Sequence, residues 1–243
     1  DIDVMPGSVH GLIGPNGSGK STMMNVLTGI YQPTAGNISY AGQPITGLSP
    51  AAIAQKGVAR TFQNVQLFGE MSALENVMVG LSHTYTTNLI DVVLHTGRYR
   101  RQEHANRVRA ASLLDFVGLG ELHDEEARNL PYGKQRLLEI ARALALSPSL
   151  LLLDEPAAGI PPADLPELTA MIHKIRQHGI AIILVEHHMD VVMEVCDHIS
   201  VLDFGQKIAE GTPAQIRLNQ QVIKAYLGSD STATPALQEE ATC

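Results

Sequence analysis

The sequence predicts an α/β fold with a mostly parallel sheet, and three observations carry that prediction. Apolar runs of strand length alternate with stretches of helical spacing. The runs at 150–153 and 181–185 are continuously apolar, as strands covered on both faces are. A glycine-rich stretch, Gly14-Pro15-Asn16-Gly17-Ser18-Gly19-Lys20-Ser21-Thr22, joins an apolar run to a helical one and fits the phosphate-binding pattern G-x-x-x-x-G-K-[ST] at every fixed position.

In chain order, residues 9–13 read as the first strand and 20–28 as the first helix. Residues 37–40 read as a strand closed by the turn Ala41-Gly42-Gln43, and 58–62 as another. From about 74 to 147 the spacing is helical, so 72–147 reads as an α-helical subdomain inserted between two strands. Residues 150–154 form a strand that ends in acids, and 163–178 a helix stopped by Gly179. The β-branched run 181–185 is expected to be a central parallel strand, followed by a helix at 189–195. Residues 199–203 and 207–209 read as a hairpin around Phe204-Gly205-Gln206, and 213–217 and 221–227 as short helices. The Ser-, Thr-, Ala- and Glu-bearing end, 229–243, reads as a disordered tail, leaving 1–228 as the folded domain. At the other end Ile2 and Val4 alternate like a strand already in progress. A chain opening on Asp1 therefore reads as a segment of a longer polypeptide.

A net charge of −8 argues against a general nucleic-acid binder, which carries a basic face. The basic cluster Arg98, Arg100, Arg101, Arg107 and Arg109 reads as a solvated helix face. Two cysteines, Cys196 and Cys243, make no disulfide framework and fit a reducing compartment. No apolar run approaches the roughly 20 residues that span a bilayer, so membrane association is expected through a partner.

The chemistry is expected at the ends of the strands. In the phosphate loop, glycines turn backbone N–H groups toward phosphate oxygens, and the helix N-terminus adds partial positive charge. Lys20 reaches the β- and γ-phosphates, and the Ser21 hydroxyl ligates Mg²⁺. The run Leu150-Leu151-Leu152-Leu153 ends in Asp154-Glu155, at the edge where open α/β sheets bind ligands. Asp154 suits Mg²⁺, and Glu155 suits taking the proton of an attacking water. Gln63, just past the strand 58–62, reaches metal or lytic water by its amide. His187, just past 181–185, reaches the γ-phosphate.

Leu130-Pro131-Tyr132-Gly133-Lys134-Gln135-Arg136 then opens an amphipathic helix. With it, the chain resembles the nucleotide-binding subunit of ATP-binding cassette (ABC) transporters over nearly its whole length, with five motifs in family order. The implied class is an α/β P-loop NTPase core with a mostly parallel sheet, a small antiparallel β part and the inserted α-helical subdomain. The implied activity is ATP hydrolysis with Mg²⁺ in a head-to-tail dimer of two ATPase subunits, either identical or different. There Pro131, Tyr132, Gly133, Lys134 and Gln135 meet the γ-phosphate held by the other subunit. The strings Arg60-Thr61-Phe62-Gln63-Asn64-Val65-Gln66-Leu67-Phe68, Asp154-Glu155-Pro156-Ala157-Ala158-Gly159, Val185-Glu186-His187-His188-Met189 and Gly211-Thr212-Pro213 are similar to those of bacterial branched-chain amino acid importers. Urea and amide importers share much of this pattern. The resemblance implies transmembrane permease partners, an external solute-binding protein acting indirectly, no nucleic acid, and a place on the cytoplasmic face of the bacterial plasma membrane. The apolar positions Val65, Leu67, Phe68, Met71 and Leu74 suit docking to a permease helix.

The chain departs from the family at three points. Pro131 stands at the signature's serine and supplies neither hydroxyl nor N–H. Pro161 stands where this subgroup carries Asn. No aromatic precedes Gly14, where the family stacks one on adenine, which implies a grip on ATP mainly through its triphosphate. An ATP-sensing subunit with weak hydrolysis is the second reading. A soluble ABC protein of translation or DNA repair is the third, and the second cassette or long insertion usual there is not seen.

Overall fold

A computed structural model describes residues 1–229. In chain order the strands are β1 (Val9–Ile13), β2 (Ser39–Tyr40), β3 (Gln43–Pro44), β4 (Val58–Arg60), β5 (Leu150–Asp154), β6 (Ala181–Val185), β7 (His198–Asp203) and β8 (Gln206–Gly211). The helices are α1 (Lys20–Leu27), α2 (Pro50–Gln55), α3 (Ala73–Gly80), α4 (Leu89–Val93), α5 (Gly97–Phe116), α6 (Tyr132–Leu144), α7 (Leu165–Gln177), α8 (Met189–Val195), α9 (Pro213–Arg217) and α10 (Gln220–Ser229).

The main sheet runs β4-β5-β6-β1-β7-β8; its first five strands are parallel, and β8 returns antiparallel to β7. The two-stranded β2–β3 sheet is antiparallel. Strand side chains alternate between two covered faces. Leu151, Leu153, Ile182 and Leu184 enter one apolar cluster, whereas Leu152, Ile183 and Val185 enter the other with Met24 of α1 and Ile53 of α2. Burial on both faces explains why these strands read as unbroken apolar runs.

Between β4 and β5 the described chain holds helices and short turns of 3₁₀-helix, as its spacing predicts. A capping box starts α3: Ser72 Oγ accepts from the Glu75 amide, and Glu75 answers on the Ser72 amide. Leu81, Leu114 and Leu119 of this stretch share one buried cluster with Val9, Ile13 and Leu153 of the sheet. The helical stretch is thus fastened to the sheet through a common core.

Several boundaries differ from expectation for local reasons. The strand expected at 37–40 is only Ser39–Tyr40, because Gly36 and Gly42 take positive φ on either side and Pro44 ends the pairing. The strand expected at 58–62 stops at Arg60: the Thr61 amide still donates to Leu152 O, but the Phe62 amide turns to Glu139 Oε1. The helix expected from 163 begins at Leu165, after a 3₁₀ turn at Pro162–Asp164. The strands around 204–206 are longer than expected, and α10 runs through Ser229. Ile2 and Val4 form no strand; both are half-buried against the smaller cluster. The rest of the expected tail, with Cys243, lies outside the described residues.

Candidate functional site

Because β1, β4, β5 and β6 are parallel, their C-terminal ends open on one edge, which is where ligands meet open α/β sheets. The loop Gly14–Gly19 leaves β1 there and feeds α1. Gly14 has φ +152°, and a Cβ on it would sit 2.1 Å from Leu202 O. Gly19, the N-cap of α1, has φ +103°. Both positions require glycine. Asn16, Gly17, Ser21 and Thr22 are exposed, Pro15 half-buried and Ser18 buried. Among the described residues the Ser18 hydroxyl has no hydrogen-bond partner, and the Lys20 ammonium, 8% exposed, donates to Gly14 O at 2.7 Å and Pro15 O at 3.0 Å. Burial pushes the Lys20 ammonium down from its ordinary value, while the Glu155 and Asp154 carboxylates pull it back up. A cation held in a glycine loop at a helix N-terminus suits an anion.

Asp154 ends β5 and is 3% exposed. Its Oδ2 accepts from Arg60 at 2.8 Å, and Arg60 also donates to Asn25 Oδ1 of α1 at 2.7 Å. Glu155 follows with φ +48°, a left-handed conformation that non-glycine residues seldom adopt. That turn separates the two neighbouring carboxylates. Glu155 Oε2 accepts from Gln63 Nε2 at 2.8 Å and lies 4.0 Å from His187 Nδ1. Backbone in an unfavoured region beside a charged cluster is where functional strain gathers. The edge therefore brings together Lys20, Gln63, Asp154, Glu155 and His187, all sought there from the sequence.

The residues Pro131, Tyr132, Gly133, Lys134 and Gln135 stand elsewhere, at the start of α6, with Pro131 as N-cap. Gln135 Nε2 donates to Leu130 O at 2.9 Å, and Lys134 pairs with Glu167 at 2.5 Å. The Tyr132 ring lies against Gly159, where a Cβ would come within 3.0 Å of it. A pocket of about 210 Å³ opens beside Pro131, Gly133, Lys134, Ile160, Asp164 and Glu167. Pro161 starts the 3₁₀ turn behind that pocket.

Three features escaped the sequence reading. Arg60 sat in a strand window with no sign that it would meet Asp154. Glu186, 1% exposed, accepts from the amides of Ala157, His187 and His188, and so ties the end of β6 to the loop after β5. Arg136 and Glu139, three positions apart in α6, are buried as a pair rather than exposed as a surface one. Of the apolar positions at 65–74, Leu74 is buried, Val65 and Leu67 are half-buried, and Phe68 and Met71 face solvent. Among the described residues no helix is long and apolar enough to cross a membrane.

Comparison with known proteins bears on this geometry. A family model described as ABC transporter matches residues 1–158, and one described as branched-chain amino acid ATP-binding cassette transporter matches residues 206–232. The chain is 47% identical over 229 residues to the high-affinity branched-chain amino acid transport ATP-binding protein BraF of Pseudomonas aeruginosa. The match covers 94% of this chain and 90% of that protein. Identity to LivG of Escherichia coli, which bears the same description, is 45% with the same coverage. Among solved structures, the ADP conformation of an ATP-binding cassette of an ABC transporter superposes with a TM-score of 0.81 at 33% identity, over 93% of this chain and 90% of that one.

Proposed function

We propose, from the premise that this chain belongs to the ABC transporter family as its ATP-binding cassette, that it is the ATP-hydrolysing subunit of an importer for branched-chain amino acids or a related small polar solute. The observation that carries the reading is the meeting of Lys20, Gln63, Asp154, Glu155 and His187 on one sheet edge.

In this reading the loop from Gly14 through Pro15, Asn16, Gly17, Ser18 and Gly19 to Lys20, Ser21 and Thr22 cradles the triphosphate. The unpartnered Ser18 hydroxyl and the backbone amides supply donors, and Lys20 exchanges its two carbonyl partners for phosphate oxygens. Gln63 orients Glu155 through their hydrogen bond. Glu155 takes one proton of water while the water oxygen bonds to the γ-phosphorus and the bridging oxygen leaves with ADP. His187 steadies the γ-phosphate. Mg²⁺ suits the oxygen donors of Ser21, Gln63 and Asp154, of the kind that hold it together with phosphates. When bound it supplies charge neutralisation at the phosphates.

Other parts of the reading concern assembly. A second ATPase subunit contributes its own start of α6, so that Pro131, Tyr132, Gly133, Lys134 and Gln135 act across the pair. The apolar segment leading into the helical unit 72–147 docks on transmembrane permease subunits through the exposed Phe68 and Met71, holding the protein at the cytoplasmic face of the plasma membrane. A solute-binding protein acts indirectly, from the far side. A sensing subunit with little turnover is the second reading, favoured by Pro131, which lacks both donors of the signature serine.

The experiment is Glu155→Gln in the assembled transporter. ATP binding should persist while turnover falls by about 10²–10⁴, the scale of losing a positioned general base. Normal turnover would refute the assignment. Uptake of leucine against urea in proteoliposomes identifies the solute.

A further inference from the structure

We infer that Arg136 and Glu139 are positioning residues for hydrolysis, because they set the backbone from which Gln63 reaches Glu155. The inference rests on the ATPase reading above. Arg136 is 2% exposed and Glu139 3%. Arg136 Nη1 donates to Phe62 O at 2.9 Å and to Glu139 Oε2 at 3.2 Å, while Nη2 donates to Gln63 O. Glu139 Oε1 accepts from the Phe62 amide at 3.2 Å. Two consecutive carbonyls and one amide of the 62–63 segment therefore end on side chains of α6.

Burial does not hold that segment: Phe62, Gln63 and Asn64 are all exposed. What fixes its backbone is the guanidinium fork, whose planar donors impose direction as well as attraction. A buried ion pair brings little net stability, and well-packed apolar residues commonly replace it without loss. Its yield here is geometry. One link on, Gln63 Nε2 meets Glu155 Oε2 at 2.8 Å. On the other side the Tyr132 ring lies 5.4 Å from the Arg136 guanidinium and packs on Gly159. Arg136 therefore joins the opening turn of α6, the loop after β5 and the Gln63 segment. A displacement of α6 carries Gln63 with it relative to Glu155.

The test is the double variant Arg136→Met/Glu139→Leu, which removes both charges together, assayed with the permease subunits. Urea unfolding and the KM for Mg-ATP should stay close to wild type. The kcat should fall by about 10²-fold, the scale of misplacing a reacting group by about 1 Å. Adding Gln63→Ala to the double variant should cost little more, since both changes remove the same placement. An unchanged kcat, or losses that multiply with Gln63→Ala, would overturn the inference. If the double variant misfolds, Arg136→Lys decides, because it keeps the charge and loses the fork; wild-type kcat there is equally fatal. A wild-type transporter without ATPase activity would instead sink the parent reading, and this inference with it.

Discussion

The Arg60–Asp154 and Arg136–Glu139 pairs are alike in chemistry and unlike in surroundings. Each buries a guanidinium against a carboxylate, at 2.8 and 3.2 Å, and each leaves its arginine Nε without a partner among the described residues. Asp154 stands at the sheet edge, where the phosphate loop and Glu155 converge, and Arg60 has Asn25 as a second acceptor. Glu139 is enclosed by its own helix and the Phe62 amide, and burial pushes its carboxyl up from the ordinary value despite the arginine. In the proposed reaction a phosphate-borne metal ion competes with Arg60 for the first carboxylate. No such cation reaches the second. The same ion pair is exchangeable or fixed according to whether a third group can reach it.

The sharpest way to break this contrast is one-sided removal. Arg136→Ala leaves Glu139 enclosed without its cation and should cost about 3–5 kcal/mol in urea unfolding at neutral pH. Arg60→Ala leaves Asp154 beside an open edge and should cost less, about 1–3 kcal/mol. Equal losses would erase the distinction. A smaller effect is expected in binding. With Arg60→Leu, Asp154 no longer has to surrender a charged hydrogen bond, so Mg²⁺ should bind about tenfold more tightly in the presence of ADP. Calorimetric titration of Mg²⁺ reads this, and weaker binding would mean that Arg60 orients Asp154 instead of competing for it.

Two finer effects follow at α6, the helix that the fixed pair anchors. Pro131→Ser adds a hydroxyl and an amide donor at its start, each able to make a charge-assisted bond. In a Glu155→Gln background with ATP, light scattering should show a larger dimer fraction. No gain would mean that Gly133 and the helix terminus already suffice. The smallest effect is a pH slope. Burial lets the Glu139 carboxyl keep its proton to a higher pH in the fold than in the unfolded chain, which releases it above about 4.5. Its stabilising contribution is complete below that value and is lost as pH rises through the folded value. Glu139→Gln should flatten this part of the stability profile, and an unchanged slope would place the raised group elsewhere.

What the sequence disclosed follows the range of the interactions involved. Lys20 and its glycines form a local motif whose spacing alone implies the loop. Leu150-Leu151-Leu152-Leu153 with Asp154-Glu155 places its acids by one strand's length, and parallel connection puts them beside the loop. Gln63 and His187 fell on the right edge for the same reason. Partners 73 to 94 positions apart left no such trace: nothing local tells Arg60 that it will meet Asp154, or Arg136 that it will hold Phe62 and Gln63. On a helix, an Arg and Glu three apart ordinarily read as a solvated pair. The φ of Glu155 was equally hidden, since tertiary packing imposes that conformation against the residue's own preference.

The crowding at Gly14 has a further consequence. Its backbone lies so close to Leu202 that no side chain fits between them, and just beyond, the Gly205 amide donates to Ser18 O at 2.9 Å. The turn between β7 and β8 is thereby hydrogen-bonded to the phosphate loop itself, immediately ahead of the segment that matches the branched-chain family model. A backbone amide whose acceptor belongs to that loop exchanges with solvent only when the loop lets go. Deuterium uptake at Gly205 is thus expected to act as a clock on the opening of a site in which it takes no chemical part, and bound nucleotide should slow it.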